Sequence, residues 1–286
     1  GEQTGTPNTS TTYGDISINE KAKLQTNNGI EINATSFDVK EGAELILNNA
    51  TVTTSEDSIY RGLSGTGFTI SAAESKKITI DQEIVETEGN QNYFASVKLS
   101  RETTFKSGGT IIFGNTTTNA FVQNDDVAPK LILQAPTVIY GNSTIDSITT
   151  SDSLSLVDNN TINNLSVTTA GGKTLTINGE ITVDSMTLSG TSSESLLQID
   201  GRGSFNLTTP PAQYVGNYLK FVNEDSPIVT TNEATIRNSK NSADGITSFP
   251  TGWEYDNTFT WTGATSNDWN VATNWKEGEV PNEASD

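Results

Sequence analysis

Three carboxylates, Asp125, Asp126 and Asp146, are the best candidates for reactive groups in this chain. The first two are adjacent, and the third follows at the interval at which short apolar pairs recur through the whole sequence. If the backbone returns on itself at that interval, the three share one face. Two carboxyl groups across a glycosidic bond supply the acid and base of sugar hydrolysis. The same oxygens suit Ca²⁺, which takes about six to eight hard ligands, so Ca²⁺ is a possible cofactor. Glu224-Asp225, and Asp268 with Asn270, are weaker candidates for the ion. The plainer alternative is that all of these are solvated turn residues. It is the reading adopted here, because acids are abundant: 35 Asp+Glu against 16 Lys+Arg, a net charge of −19. Only Arg61, Arg101, Arg202 and Arg237 could clamp an acidic sugar, and no two of them are one such interval apart.

Other chemistry is removed by composition. There is no His and no Cys, hence no Ser-His-Asp triad, no His-held zinc, no thiolate nucleophile and no disulfide framework. The acid excess disfavours nucleic acid, whose binding rests on Lys and Arg displacing counterions, and anionic membrane surfaces likewise. No apolar run approaches the length of a membrane span.

Strands are what would hold such residues in place. Short apolar pairs with one residue between them recur throughout: Ile16/Ile18, Ile30/Ile32, Phe37/Val39, Leu45/Leu47. This alternation marks half-buried strands. The pairs themselves repeat at a period of about 21, within the range that marks solenoids. One series runs Ile16/Ile18, Phe37/Val39, Ile59, Ile78/Ile80, Val97/Leu99, Phe121, Ile145/Ile148, Leu165/Val167, Met186/Leu188 and Phe205/Leu207. A second includes Leu24, Leu45/Leu47, Phe68/Ile70, Ile111/Phe113, Leu131/Leu133, Leu154/Leu156 and Leu175/Ile177. A patchier third includes Ile30/Ile32, Val52, Ile84/Val85, Phe105 and Val138/Ile139. Three series with one period predict an all-β chain, a right-handed parallel β-solenoid with three short strands per coil. Ten or eleven coils would make a rod on the order of 50 Å long. A rod needs only one or two inward residues per strand, which accounts for a hydrophobic content of 33%. Asn and Gly at Asn27-Asn28-Gly29, Asn48-Asn49 and Asn178-Gly179 read as corners. Residues 1–12 read as a polar linker and 13–256 as solenoid, with loops inserted between coils in the poorly periodic stretch 56–130. A flat Thr array for ice binding would need Thr in register on successive coils, and the threonines keep no constant step.

The texture changes at 257–286. Three of the four Trp lie within Trp261 to Trp275. Clustered Trp in a polar stretch can be a stacking platform for a sugar ring or a cap on an open solenoid end, and the structural role is the one adopted. The segment reads Trp261-Thr262-Gly263, Asp268-Trp269, Asn274-Trp275 and Gly278-Glu279-Val280-Pro281. It resembles the motif found between β-solenoid modules of very large, repetitive surface proteins of Bacteroidetes-type bacteria, gliding-motility adhesins among them. The resemblance covers about a tenth of the chain.

That resemblance implies a piece of a longer, secreted protein at the bacterial cell surface, adhesive or spacing rather than catalytic. Its partners would be an extracellular surface or glycan and the neighbouring modules of the same chain, with no nucleic acid and no membrane insertion. Trp261, Gly263, Asp268, Trp269, Asn274, Trp275 and Pro281 would be structural residues that cap this solenoid or open the next module. Bacteria of this kind also attach O-glycans at Asp-Ser followed by an apolar residue, which would mark Ser58, Ser147, Ser153 and Ser185. The competing expectation is a polysaccharide lyase or hydrolase acting through Asp125, Asp126 and Asp146.

Overall fold

The computed structural model describes residues 12–121, 129–192, 194–208, 214–222, 229–230, 234–237, 252–255, 259–276 and 280–281. The chain is a parallel β-solenoid of about 9 turns, fewer than the ten or eleven expected, with about 21 residues per turn. Ile16–Ile18 pairs in parallel with Phe37–Val39 of the next turn. That strand is followed upward by Ser58–Tyr60, Lys77–Ile80 and Ser96–Leu99. These five strands form one face and coincide with the first periodic series. The other two faces merge into one hydrogen-bonded sheet, because some strands run round a corner without stopping. Glu44–Thr54 bends at Asn48 and Asn49, where the register shifts and Asn49 takes φ 46°. Asn is among the few residues that adopt this left-handed conformation readily. Thr144–Thr150, Asn160–Thr168 and Glu180–Ser189 run round a different corner, between Ile145 and Ile148 and their counterparts, with the register kept and no left-handed residue.

The core is the stack of inward side chains. Val39, Leu45, Val52, Ile70, Ile78, Leu156, Ile177 and Val183 are all fully buried. At about 1.5–3 kcal/mol for each buried aliphatic side chain, these columns supply most of the cohesion between turns.

Three expectations about detail are corrected. Phe68 and Ile70 do not follow Leu45 and Leu47: they sit over Ala50 and Val52, while Leu63 and Gly65 take the places above Leu45 and Leu47. Leu131 and Leu133 lie over Thr103 and Phe105, and it is Val138 and Ile139 that follow Ile112 and Phe113. Leu165 follows Ile148 as expected, with Ile145 continued by Ile162, but Phe205 and Leu207 lie over Ile181 and Val183 and not over Met186 and Leu188. The cause is uneven turn length. The turn from Leu45 to Leu63 is short, as is the one from Ile148 to Leu165, while the turn from Phe105 to Leu133 is long. A fixed step therefore jumps between faces.

In the described part of 56–130 the solenoid continues as expected, but most of what reads as inserted loop is strand. Gly62 to Gly67 falls largely within the strand Leu63–Ala72, and Glu86 to Asn92 joins two paired strands. Asn115–Thr118 is a tight excursion closed by a short antiparallel bridge. The core here is built of large aromatic side chains. Tyr93 packs against Phe68, Phe105 and Phe113, with ring centroids 5.4, 5.8 and 5.0 Å away, and Phe113 packs on Phe121. Inside this cluster the fully buried Gln91 accepts from the Tyr93 hydroxyl at 3.1 Å and donates to the Lys106 carbonyl and to Thr87 Oγ1.

At the other end, Trp253–Tyr255 still pairs in parallel with Ala234–Arg237. Trp253 is buried against Phe205 and Phe221, at 6.1 and 5.2 Å. Of the expected linker 1–12, only Thr12 is described, and it pairs with Asn33 as strand.

Candidate functional site

Asp146 stands at the corner where the strand Thr144–Thr150 bends. Its carboxylate accepts from Asn163 Nδ2 at 3.0 Å and lies 3.6 Å from Lys130 Nζ, so both partners belong to neighbouring turns. Asp125 and Asp126 lie outside the described residues, as do Glu224 and Asp225. The polar contacts of this corner continue up the rod. Ser185 Oγ donates to Asn164 Oδ1 at 3.1 Å, and Thr208 Oγ1 donates to Asp184. Asp146-Ser147 and Asp184-Ser185 thus occupy equivalent corner positions, with Asn163-Asn164 between them.

The other two Asp-Ser pairs are corner residues too. Ser153 Oγ accepts from the Thr174 N–H at 3.1 Å, and Asp152 accepts from Lys173 at 2.8 Å. Ser58 is 1% exposed. Its hydroxyl accepts from the Phe37 N–H at 3.0 Å and donates to the Glu56 carbonyl. A glycan on Ser58 has no room in the folded coil. Ser147, Ser153 and Ser185 are half-buried.

Basic side chains follow the same rule. Lys23–Glu44, Lys76–Glu56, Lys106–Glu86, Lys130–Asp146 and Lys173–Asp152 each join successive turns. The best-built case is Asp81. Arg61 Nε reaches its Oδ2 at 2.7 Å, and Arg101 Nη2 reaches its Oδ1 at 2.7 Å. Arg61 also donates to the Val39 carbonyl at 2.9 Å and approaches Asp38. Arg61 and Arg101 are two turns apart, yet they meet on the one carboxylate between them. Partial burial by itself would raise the Asp81 pKa; the hydrogen bonds and charges of Arg61 and Arg101 together outweigh it and hold the carboxyl below its ordinary range. Both guanidinium groups are therefore engaged rather than open to an acidic sugar.

Open grooves among the described residues include two beside these ion pairs. One, of about 560 Å³, is lined by Glu86, Glu88, Lys106, Ser107 and Gln134. The other, of about 320 Å³, lies over the Arg61–Asp81–Arg101 stack between Glu41 and Glu83. Among the described residues, no three acidic side chains are grouped so as to hold a metal ion.

The aromatic motif folds on itself. Trp261 and Trp275 form an antiparallel bridge. Asn274 is fully buried and serves as the hub. Its Oδ1 accepts from the N–H groups of Thr265 and Ser266 at 2.7 and 2.8 Å, and its Nδ2 donates to Ser266 Oγ and to the Asp268 carbonyl at 2.8 and 2.9 Å. Trp275 Nε1 donates to the Trp269 carbonyl at 3.0 Å. Gly263 takes φ 61°, a conformation that favours glycine. Pro281 is half-buried.

Comparison with known protein families, curated proteins and solved structures finds no match. The site is therefore read from geometry alone. Two functional-looking features leave no signal in the sequence. The Asp81 stack is hidden because its two arginines belong to alternate turns and need the intervening one to meet. Trp253 has no periodic partner, so spacing does not place it in the core.

Proposed function

We propose that this chain is a non-catalytic rod, a structural and adhesive module of a large secreted bacterial surface protein. The observation that carries the reading is the fate of its scarce cations. Lys23, Arg61, Lys76, Arg101, Lys106, Lys130 and Lys173 are spent on carboxylates of adjoining turns, which ties the rod along its axis. The rod then extends a binding tip or presents a side face, and its remaining negative charge keeps neighbouring rods apart. The resemblance of Trp261 to Pro281 to an inter-module motif of bacterial surface adhesins supports the same setting.

The test is incubation of the 286-residue protein with a panel of neutral and acidic polysaccharides, with reducing ends and unsaturated products measured. No turnover is expected. Turnover that Asp146→Ala abolishes would establish the polysaccharide-cleaving alternative and overturn the rod reading.

A further inference from the structure

Trp269 is 61% exposed, the most exposed large hydrophobic side chain among the described residues. It is nevertheless held firmly. Trp261 stacks on one face of its ring, with centroids 4.9 Å apart and an interplanar angle of 11°. Trp275 lies 5.1 Å from each of the two at steep angles. Three centroids at nearly equal separations form a triangle, so Trp275 abuts the side of the stacked pair and leaves the outer face of Trp269 uncovered by either ring. The backbone beneath is pinned as well. The Trp269 carbonyl accepts from Trp275 Nε1, the Asp268 carbonyl accepts from the buried Asn274, and Asp268 Oδ1 accepts from the Asn270 N–H at 2.9 Å. The motif thus spends its internal bonds on keeping a large aromatic face in water, the reverse of what burial alone would favour.

We propose that the outer face of Trp269 is a binding platform for one ring of a neutral polysaccharide. A pyranose presents a flat patch of C–H groups with partial positive charge, which complements the negative face of an indole. A rigid aromatic also loses little freedom on binding, so pre-organisation favours the complex. The chain on either side supplies the second element of sugar recognition: Asn267, Asp268 and Asn270, next to Trp269 in sequence, are polar and exposed. Charge selects the neutral class, because Asp268 and a net charge of −19 repel uronates and sulfated sugars. Shape argues against a protein partner. A stable interface buries about 800 Å² per side around an apolar centre. Here Thr265, Ser266, Asn267, Asp268 and Asn270, neighbours of Trp269 in the chain, are all exposed and polar.

The experiment is affinity electrophoresis of the 286-residue chain through gels containing a β-glucan, a mannan, a xylan or, as the anionic contrast, alginate. Retardation is expected in at least one neutral gel and not in alginate. Trp269→Ala should weaken it at least tenfold, and Trp269→Tyr should restore most of it. Oligosaccharide of the retarding polymer should also protect Trp269 of the unaltered protein from oxidation by N-bromosuccinimide; this measurement stands even if the alanine variant disturbs the motif. The proposal is overturned by no retardation in any neutral gel, by retardation in alginate alone, by retardation unchanged in Trp269→Ala, or by absence of protection. Self-association lost on Trp269→Ala would overturn it in favour of a second copy of the chain. None of these failures touches the rod reading, whose carrying observation is the ion pairing of Lys and Arg between turns.

Discussion

At the scale of single residues, the chain uses charge sparingly and along one direction. Asp81 is the clearest case, since one carboxylate answers two arginines from the turns on either side. Its folded pKa is depressed. The stability it contributes is therefore present above the unfolded carboxyl value of about 3.9 and is lost as pH falls through the lower folded value. Asp81→Asn should cost about 1 kcal/mol at pH 7, the upper end for a partly exposed ion pair. In urea titrations the gap between the variant and the parent protein should stay constant down to about pH 5 and close below about pH 4. A gap independent of pH would show that Asp81 acts only through its shape. Asp146 belongs to the same order of things. Its bonds to Lys130 and Asn163 make it part of the seam between turns, whereas the sequence reads it as a solvated turn residue, with an acid–base cluster with Asp125 and Asp126 as the competing reading.

At the scale of the turn, corners decide the register. Gly65 has φ 138°, and a Cβ placed there would fall on the Leu47 carbonyl oxygen of the turn below. Gly65→Ala is expected to destabilise the chain by about 3 kcal/mol or more, combining backbone strain with a clash that no rotamer relieves. Gly14, with open space around it and no positive φ, is the control, and its alanine variant should unfold within about 0.5 kcal/mol of the parent. Equal midpoints for the two variants in chemical denaturation would refute the corner argument. The same corners explain what is legible. The face through Ile16/Ile18, Phe37/Val39, Ile78/Ile80 and Val97/Leu99 can be read directly, because its turns stay close to the common length; its Ile59 member is misread by one residue, since Ile59 sits over outward Asp38 while Ser58 and Tyr60 are the buried residues of that strand. A fixed step assigns Phe68, Leu131 and Phe205 to the wrong columns, because turns of uneven length intervene and alternation carries no mark of which face a strand belongs to. Asn274 stands out within the aromatic motif, but its burial and its hydrogen bonds depend on backbone geometry that spacing alone does not encode.

At the scale of the whole molecule, each turn touches its neighbours through parallel pairing and axial side-chain bonds. Stability is then close to a sum over turns. A chain pulled from its two ends should lengthen in steps of about 7 nm or multiples of it, the contour of about 21 residues at ~3.5 Å each. Force spectroscopy showing one all-or-none release of the whole length would contradict this. The unequal turns carry a further consequence. The short turn from Leu133 to Thr150 and the long one from Phe105 to Leu133 both occupy one strand spacing along the axis, because pairing alone sets the rise. Residues added at a corner widen the girth and leave the reach untouched. Only gaining or losing an entire circuit changes the distance between the ends, by about 4.8 Å each time. The molecule is in that sense a ruler graduated in circuits, and its corners are free to vary without altering the measure.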